Sequence, residues 1–424
     1  MDMWVGILLL ITYFLLIYYA TRGGNLMIGF LVMAFLWVLI GRIPYDIAIS
    51  EVFEKSAETY GMTATVVIFG SWFGRVLVET GIAGAIIRRT VELGGDRPLL
   101  TTILVSLVTT FIFTSTFGVG AVIAIGVIVL PILLSIGVPK NVAVSSFTLS
   151  VGAGMYVNIV LFKQIQLFFP DVAYNGPYIK FGFIAMAIQI LFIMLMLTFN
   201  LRKGKVNYAW AQPTEPQIDT TNVPAISFII PIIPVIMAIA FKWQPIPAML
   251  LAIFLALLVT KKFSSWKTAE SLIQKTLYDG VADVGLLLGM LFTLAMFGSA
   301  AGKNAHIFQT MLSPIMPKNA LIIAIAIGML APLALFRGPL MAWGAGSATI
   351  AILTGLNLFS PQLLLPLIYV PTISMAISTC PTQSWNLWAI NYTKLSIKDF
   401  LKTGVVWAWL VVIINEIIAV NMFK

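Results

Sequence analysis

Two residue types on which disulfide frameworks and many catalytic sites depend are almost missing: the 424-residue chain has one cysteine, Cys380, and one histidine, His306. A single cysteine excludes an internal disulfide and any cysteine-built metal cage. Charge is also scarce, with 10% Asp, Glu, Lys and Arg against 60% hydrophobic residues. No polar stretch is long enough for a soluble domain, so an anchored enzyme is not expected; the longest is LRKGKVNYAWAQPTEPQIDTTN at 201–222. The start lacks a basic n-region and a small-x-small cleavage site, so residues 4–20 read as a retained first span. What remains, at a mean hydropathy of +1.01, is an all-α, multi-pass protein of the cell (inner) membrane. The net charge of +9 is then explained by orientation signals in loops, not by nucleic acid.

Apolar runs of about 17–25 residues mark membrane segments. About 10–14 of them can be read from 4–20 to 404–422, up to seven on each side of the 201–222 loop. Arg202, Lys203 and Lys205 mark that loop as a cytoplasmic linker between a first half, 1–200, and a second, 223–424. Counting outward from it places both termini outside. Residues 42–60, 80–97, 263–279 and 303–317 are too polar to span and read as amphipathic interfacial helices. The halves align weakly, with Gly81 on Gly302, Arg97 on Lys318 and Phe117 on Gly338, all 221 residues apart. A second register, FGSWFGR at 69–75 on FGSAAGK at 297–303, stays open. An odd number of segments per half makes the repeat inverted, the basis of alternating access.

Two polar, glycine-rich interruptions fall at matching places, TSTFGVGA at 114–121 and FRGPLMAWGAG at 336–346. In lipid, a non-helical break survives only where protein buries it or a wet cavity receives it. The first reads as the tip of a re-entrant hairpin, with Ser115, Thr116, Gly118 and Gly120 offering hydroxyls, positive φ and free N–H groups to an anion. Small residues also serve close helix packing, which accounts for this motif equally well. The second places Arg337 and Gly338 between long apolar runs. An arginine there is costly unless it faces a cavity or counter-ion, and its fork suits a carboxylate. Two later points read as broken helices: VGAGMYVN at 151–158, with Asn158, and STCPTQSWN at 378–386, where Pro381 frees carbonyls and Thr382, Gln383 and Ser384 cluster. Asp283 is the coupling candidate, although a solvated place at a helix start explains it slightly better. His306 reads as interfacial.

The stretch from 68 to 141 resembles the gluconate permease, citrate–proton symporter and C4-dicarboxylate carrier families, within the ion transporter superfamily of organic-anion carriers. The resemblance rests on a small-residue helix ending in Thr80-Gly81, an amphipathic segment, and a glycine-interrupted hairpin closing on Leu130, Pro131, Leu133, Gly137 and Pro139. It implies two inverted repeats, each with a scaffold part and a mobile part bearing a re-entrant hairpin. It also implies a substrate held between tips (Ser115, Thr116, Gly118, Arg337, Gly338) and broken helices (Asn158, Thr382, Ser384). The Ser-Asn-Thr tips of the sodium–dicarboxylate branch are absent, which favours H⁺ over Na⁺ as coupling ion. The expected function is therefore a secondary carrier of a small organic anion, needing no cofactor or resident metal. A cation–proton antiporter is the alternative, with a channel or non-transporting scaffold behind it. The expected partners are the anion and the lipid bilayer; a homodimer stays open.

Overall fold

The computed structural model describes residues 2–95, 97–201, 223–312, 314 and 316–424, so the expected linker at 201–222 lies outside the described residues except for Leu201. Helix is the only regular secondary structure among them. Lipid leaves no alternative here, because every backbone polar group at membrane depth must be satisfied within its own segment.

The first half runs α1 (Asp2–Thr21), α2 (Leu26–Ile40), α3 (Tyr45–Glu79, entered through a π-helical turn), α4 (Ile82–Gly94), α5 (Pro98–Phe113), α6 (Val119–Ser135), α7 (Lys140–Met155), α8 (Ile159–Gln166) and α9 (Gly176–Leu201). The second half repeats the order: α10 (Ala225–Ala240), α11 (Pro245–Val259), α12 (Trp266–Lys303), α13 (Ala305–Leu312), α14 (Ala320–Met329), α15 (Gly346–Gly355), α16 (Pro361–Ile377), α17 (Ser384–Thr393) and α18 (Ile397–Phe423). Starts and stops follow local chemistry. Asn25, Asn158, Asn319, Ser360 and Ser396 accept backbone N–H bonds at the heads of α2, α8, α14, α16 and α18, and proline opens α5, α11 and α16.

Corresponding helices of the two halves meet antiparallel. Along α3 and α12, Glu51 pairs with Lys303, the Tyr60 hydroxyl donates to the Leu288 carbonyl (3.0 Å), Arg75 pairs with Asp283, and Lys275 reaches Glu79 (2.9 Å). Beyond the end of α7, Tyr156 bonds Ser374 of α16 (2.6 Å), while Tyr369 of α16 donates to Met155 (2.9 Å). Across α9 and α18, Tyr178 stacks on Phe423 near one end and Phe199 meets Trp407 near the other. Equal elements that pair head to tail enter the bilayer from opposite faces, so the repeat is inverted. Helix starts set the register: Ile82 to Ala305, Pro98 to Ala320, Lys140 to Pro361 and Gly176 to Ile397 lie 223, 222, 221 and 221 residues apart. The return helices of the hairpins, Val119 to Gly346, lie 227 apart, so the offset widens at the tips.

Among the described residues five helices are long and apolar enough to cross a membrane, or seven if each bent pair counts as one span, and shorter apolar helices fill out the bundle. The segments expected to be interfacial at 42–60 and 263–279 are not separate helices. They continue into the spans as α3 and α12, of 35 and 38 residues. At 1.5 Å per residue these helices are about 50–57 Å long, so their polar ends extend beyond a hydrocarbon core of about 30 Å. There Glu51 with Lys303 and Glu79 with Lys275 neutralise one another. The expected segments 80–97 and 303–317 do contain short amphipathic helices, α4 and α13, with Ile82, Ile86 and Ile87 buried on α4 and Arg89 and Glu92 exposed. α1 exposes Trp4, Leu8, Ile11, Phe14 and Leu15, an apolar face suited to a lipid surround.

α5 and α6 form the first hairpin; at 16 and 17 residues they reach only about 24–26 Å. α15, with 10 residues, reaches about 15 Å. None spans a hydrocarbon core upright, which agrees with re-entrant elements that stop at mid-membrane.

Candidate functional site

Both hairpin tips and both broken helices converge at the centre of the bundle. At the first tip α5 ends at Phe113 and α6 begins at Val119. Gly118 makes the turn at φ 109°, a conformation that L side chains rarely adopt, and an added Cβ would lie 2.7 Å from Ser71 Oγ. The Thr114 and Thr116 hydroxyls donate back to carbonyls of α5. α7 and α8 meet at a 68° bend just before Asn158, which holds the tip in place. Its Nδ2 donates to the Phe113 and Thr116 carbonyls (both 2.9 Å), while its Oδ1 accepts from the Val160 and Leu161 N–H groups.

The second tip is built differently. α14 bends by 55° into a short 3₁₀ turn, Ala331–Arg337. Phe336 and Arg337 take left-handed φ of 53° and 61°, whereas Gly338 does not (φ −74°). Two consecutive non-glycine residues in that region are strained and persist only where surroundings impose the shape. Here Phe336 N–H donates to Cys380 Sγ (3.1 Å), Ala345 N–H to the Arg337 carbonyl (2.9 Å), and Ala342 N–H to Thr372 Oγ1 (3.1 Å). Beyond Cys380 the backbone is non-helical until Ser384. Asn386 closes that break as Asn158 closes the other, donating to the Ile377 and Cys380 carbonyls (both 3.0 Å).

Between these elements lies a cavity of about 680 Å³, lined from both halves. Gly120, Arg337, Thr382, Gln383, Ser384 and Asp283 of the expected site line it. Ser115, Thr116, Gly118, Asn158 and Gly338 do not. Ser115 and Thr116 are buried behind the wall, and every polar atom of the Asn158 side chain is already bonded within the protein. Thr382 spends its hydroxyl on Cys380 Sγ (3.0 Å).

Asp283 is not at a helix start, as the simpler sequence reading had it: it lies mid-way along α12, because the apparent boundary before it is continuous helix. Arg75 of α3 holds it by two bonds, Nε to Oδ2 and Nη2 to Oδ1, each 2.6 Å. The backbone of α6 presses on this pair at Gly120, where a Cβ would collide with the Asp283 carboxylate and the Arg75 guanidinium. Arg337 has no ion-pair partner among the described residues and faces the same cavity. Two guanidinium groups against one carboxylate leave the cavity one positive charge in excess. The first N–H groups of α6 and α17 add donors that have no acceptor within their own helices. Trp343 and Trp385, whose indole N–H groups have no partner among the described residues, complete the wall with Phe117 and Met341.

Sequence reasoning used Arg75 only to test a repeat register. Yet it sits in VVIFGSWFGRVLVE, an arginine within an apolar run, which is the signal that singled out Arg337. No comparable signal marks Trp343 or Trp385, since tryptophans are frequent throughout the chain.

Paired breaks in inverted halves around a central cavity define a membrane-transporter architecture. Two solved structures share the fold. The YdaH transporter of Alcanivorax borkumensis, described as having an unusual topology, matches at a TM-score of 0.63 and 14% identity, over 94% of this chain and 97% of that one. MtrF of Neisseria gonorrhoeae, described within a class of antimetabolite efflux pumps, matches at 0.58 and 14% identity, over 86% and 82%. No protein-family model and no curated protein matches the chain.

Proposed function

We propose that this chain is a secondary active carrier that moves a small organic anion across the cell (inner) membrane by alternating access, driven by H⁺. The observation that carries the reading is Arg337: a guanidinium without a counter-charge among the described residues, in a strained tip, facing a central cavity that both halves line. A carboxylate supplies the missing charge and takes two hydrogen bonds from the fork. The unpartnered indoles of Trp343 and Trp385, with Phe117 and Met341, suit a substrate that has an apolar or aromatic body behind its carboxylate. This agrees with the organic-anion carrier superfamily that the hairpin pattern resembles, and the two similar folds belong to transporters. The first half, 1–200, and the second, 223–424, act as the two repeats, joined by the 201–222 linker.

A cation–proton antiporter, the alternative reading, needs a central acid available to a cation. Asp283 is the acid at the cavity, and Arg75 occupies both its oxygens. Transport without conformational exchange, as in a channel, gives no counterflow. The deciding experiment is therefore uptake of labelled carboxylates into proteoliposomes preloaded with unlabelled acid, after a thermal-shift screen of organic acids with and without Na⁺. Trans-stimulated uptake that Arg337→Ala abolishes is the expected result. Cation exchange that depends on Asp283 and ignores Arg337 would overturn it.

A further inference from the structure

One acid lies outside the cavity and is absent from the site described above. Glu416 sits well inside α18, is fully buried, and neither carboxylate oxygen has a hydrogen-bond or ion-pair partner among the described residues. It packs where α14 carries a glycine: a Cβ on Gly328 would lie 3.8 Å from Glu416 Cγ. The elements packed on α18 offer no nearby cation. α14 has no ionisable residue; α16 has Tyr369; α9 has Tyr178 and Lys180 near its start; α7 has Lys140 as its first residue; and the 3₁₀ turn has Arg337 as its last. On α18 itself Lys398, Asp399 and Lys402 lie nearly four turns or more away, and Lys424, the C-cap, is exposed about two turns beyond it. An ionised carboxylate in such surroundings has neither counter-charge nor donor, so its charge is costly there and a bound proton removes that cost.

Its position links that proton to the moving parts. The preceding residue, Asn415, donates to Tyr156 Oη (3.3 Å), which bonds Ser374 (2.6 Å); Ser374 donates to Gln189 Oε1 (2.7 Å), and Gln189 to Ser378 Oγ (3.1 Å). Tyr156 stands at the bend of the first broken helix. Ser374 lies within the π-helical turn that leads into the second, and Ser378 caps its end. A rearrangement of either break therefore repacks the wall around Glu416.

We propose that Glu416, not Asp283, is the proton-binding site of the coupled cycle. The Glu416 O–H bond forms with a proton from water on one side and breaks to water on the other, in the conformations where a rearranged break admits water; no other covalent bond changes. Asp283, held by a guanidinium, is a structural and substrate-facing group instead.

The proposal rests on the carrier reading, and its test separates the two. The measurement uses the full chain in proteoliposomes, with a carboxylate that stabilises the wild type and an imposed pH gradient. Glu416→Gln keeps the shape of the neutral acid and cannot release a proton. It should keep thermal stabilisation by that carboxylate and counterflow within about threefold, while accumulation driven by the pH gradient falls to the equilibrium ratio of one. Glu416→Asp, which keeps a titratable group, should restore gradient-driven uptake with a displaced pH profile, and it carries the test if the glutamine variant fails to fold. Gradient-driven accumulation by Glu416→Gln at the wild-type level would overturn the assignment. Wild-type counterflow that a pH gradient cannot drive would also overturn it, together with the H⁺ coupling, leaving alternating-access carriage of the anion intact. Absence of both binding and counterflow in the wild type would remove the carrier reading itself.

Discussion

At the first tip the chain turns at a glycine and passes two carbonyls to Asn158; no charge is present, and Ser115 and Thr116 are sealed behind the cavity wall. At the second, the turn is made by Phe336 and Arg337 in left-handed conformations, and the arginine is left facing open space. The two lie at equivalent places in like halves. An inverted repeat constrains where the chain breaks, because both copies must bury or wet the freed backbone. It does not constrain which side chains stand at the break. The first tip therefore meets the cavity with the uncharged Phe117, Val119 and Gly120, while the second meets it with a charge in a strained turn.

The strongest way to break that contrast is Arg337→Ala. Loss of a charge-assisted fork worth about 3 kcal/mol predicts a fall in uptake kcat/KM on the order of 100-fold, with thermal stability unchanged or raised. Arg337→Lys should recover only part of it, because an ammonium keeps the charge and loses the fork. Uptake that survives Arg337→Ala would make the two tips functionally alike. Asn158→Ala should show the opposite profile. It strands two carbonyls and two N–H groups in the interior and should cost about 2–4 kcal/mol of stability, read as a lowered Tm in detergent, while substrate affinity of the folded fraction is kept. Asn386→Ala should behave in the same way, since it closes the second break with the same two-carbonyl clamp.

Asp283→Asn sharpens the electrostatic side of the comparison. It releases Arg75 and raises the cavity excess from one positive charge to two, so preference should shift toward dicarboxylates by about tenfold, measured as a ratio of inhibition constants against labelled uptake. The smallest effect belongs to Ser115→Ala. Its hydroxyl is buried, unpartnered among the described residues and outside the cavity lining, so stability should change by less than about 0.5 kcal/mol and uptake by less than twofold. A tenfold loss there would mean that the Ser115 hydroxyl bears on the substrate as well as the cavity-lining Phe117 and Gly120.

Much of this was legible beforehand. The apolar runs, the two breaks, the short amphipathic helices after α3 and α12 and the inverted halves all follow from hydropathy and from the positions of glycine and proline. Arg337 was legible because an isolated charge in an apolar run is improbable without a purpose. The errors have one origin. Segments 42–60 and 263–279 read as interfacial because their polarity was judged alone, yet Glu51 and Lys303, some 250 residues apart, neutralise each other across α3 and α12. Asp283 read as a helix-start charge for the same reason, since its partner Arg75 lies in the other half. The clamp that Asn158 makes on the first tip was equally invisible, because the carbonyls it bonds belong to a different segment.

Apolarity and paired breaks in two halves settle the class of protein, because such a chain satisfies its backbone only as a helical membrane bundle in which each break is buried or wetted. Which charges are compensated is a matter of packing. Whether Asp283, Glu416, Arg75 and Arg337 are paired or bare depends on contacts hundreds of residues apart, and Coulomb and desolvation energies follow distance in space, not along the chain. That is why Arg337 stands open to a ligand while Asp283 is held, and why the one buried acid without a partner among the described residues is on α18.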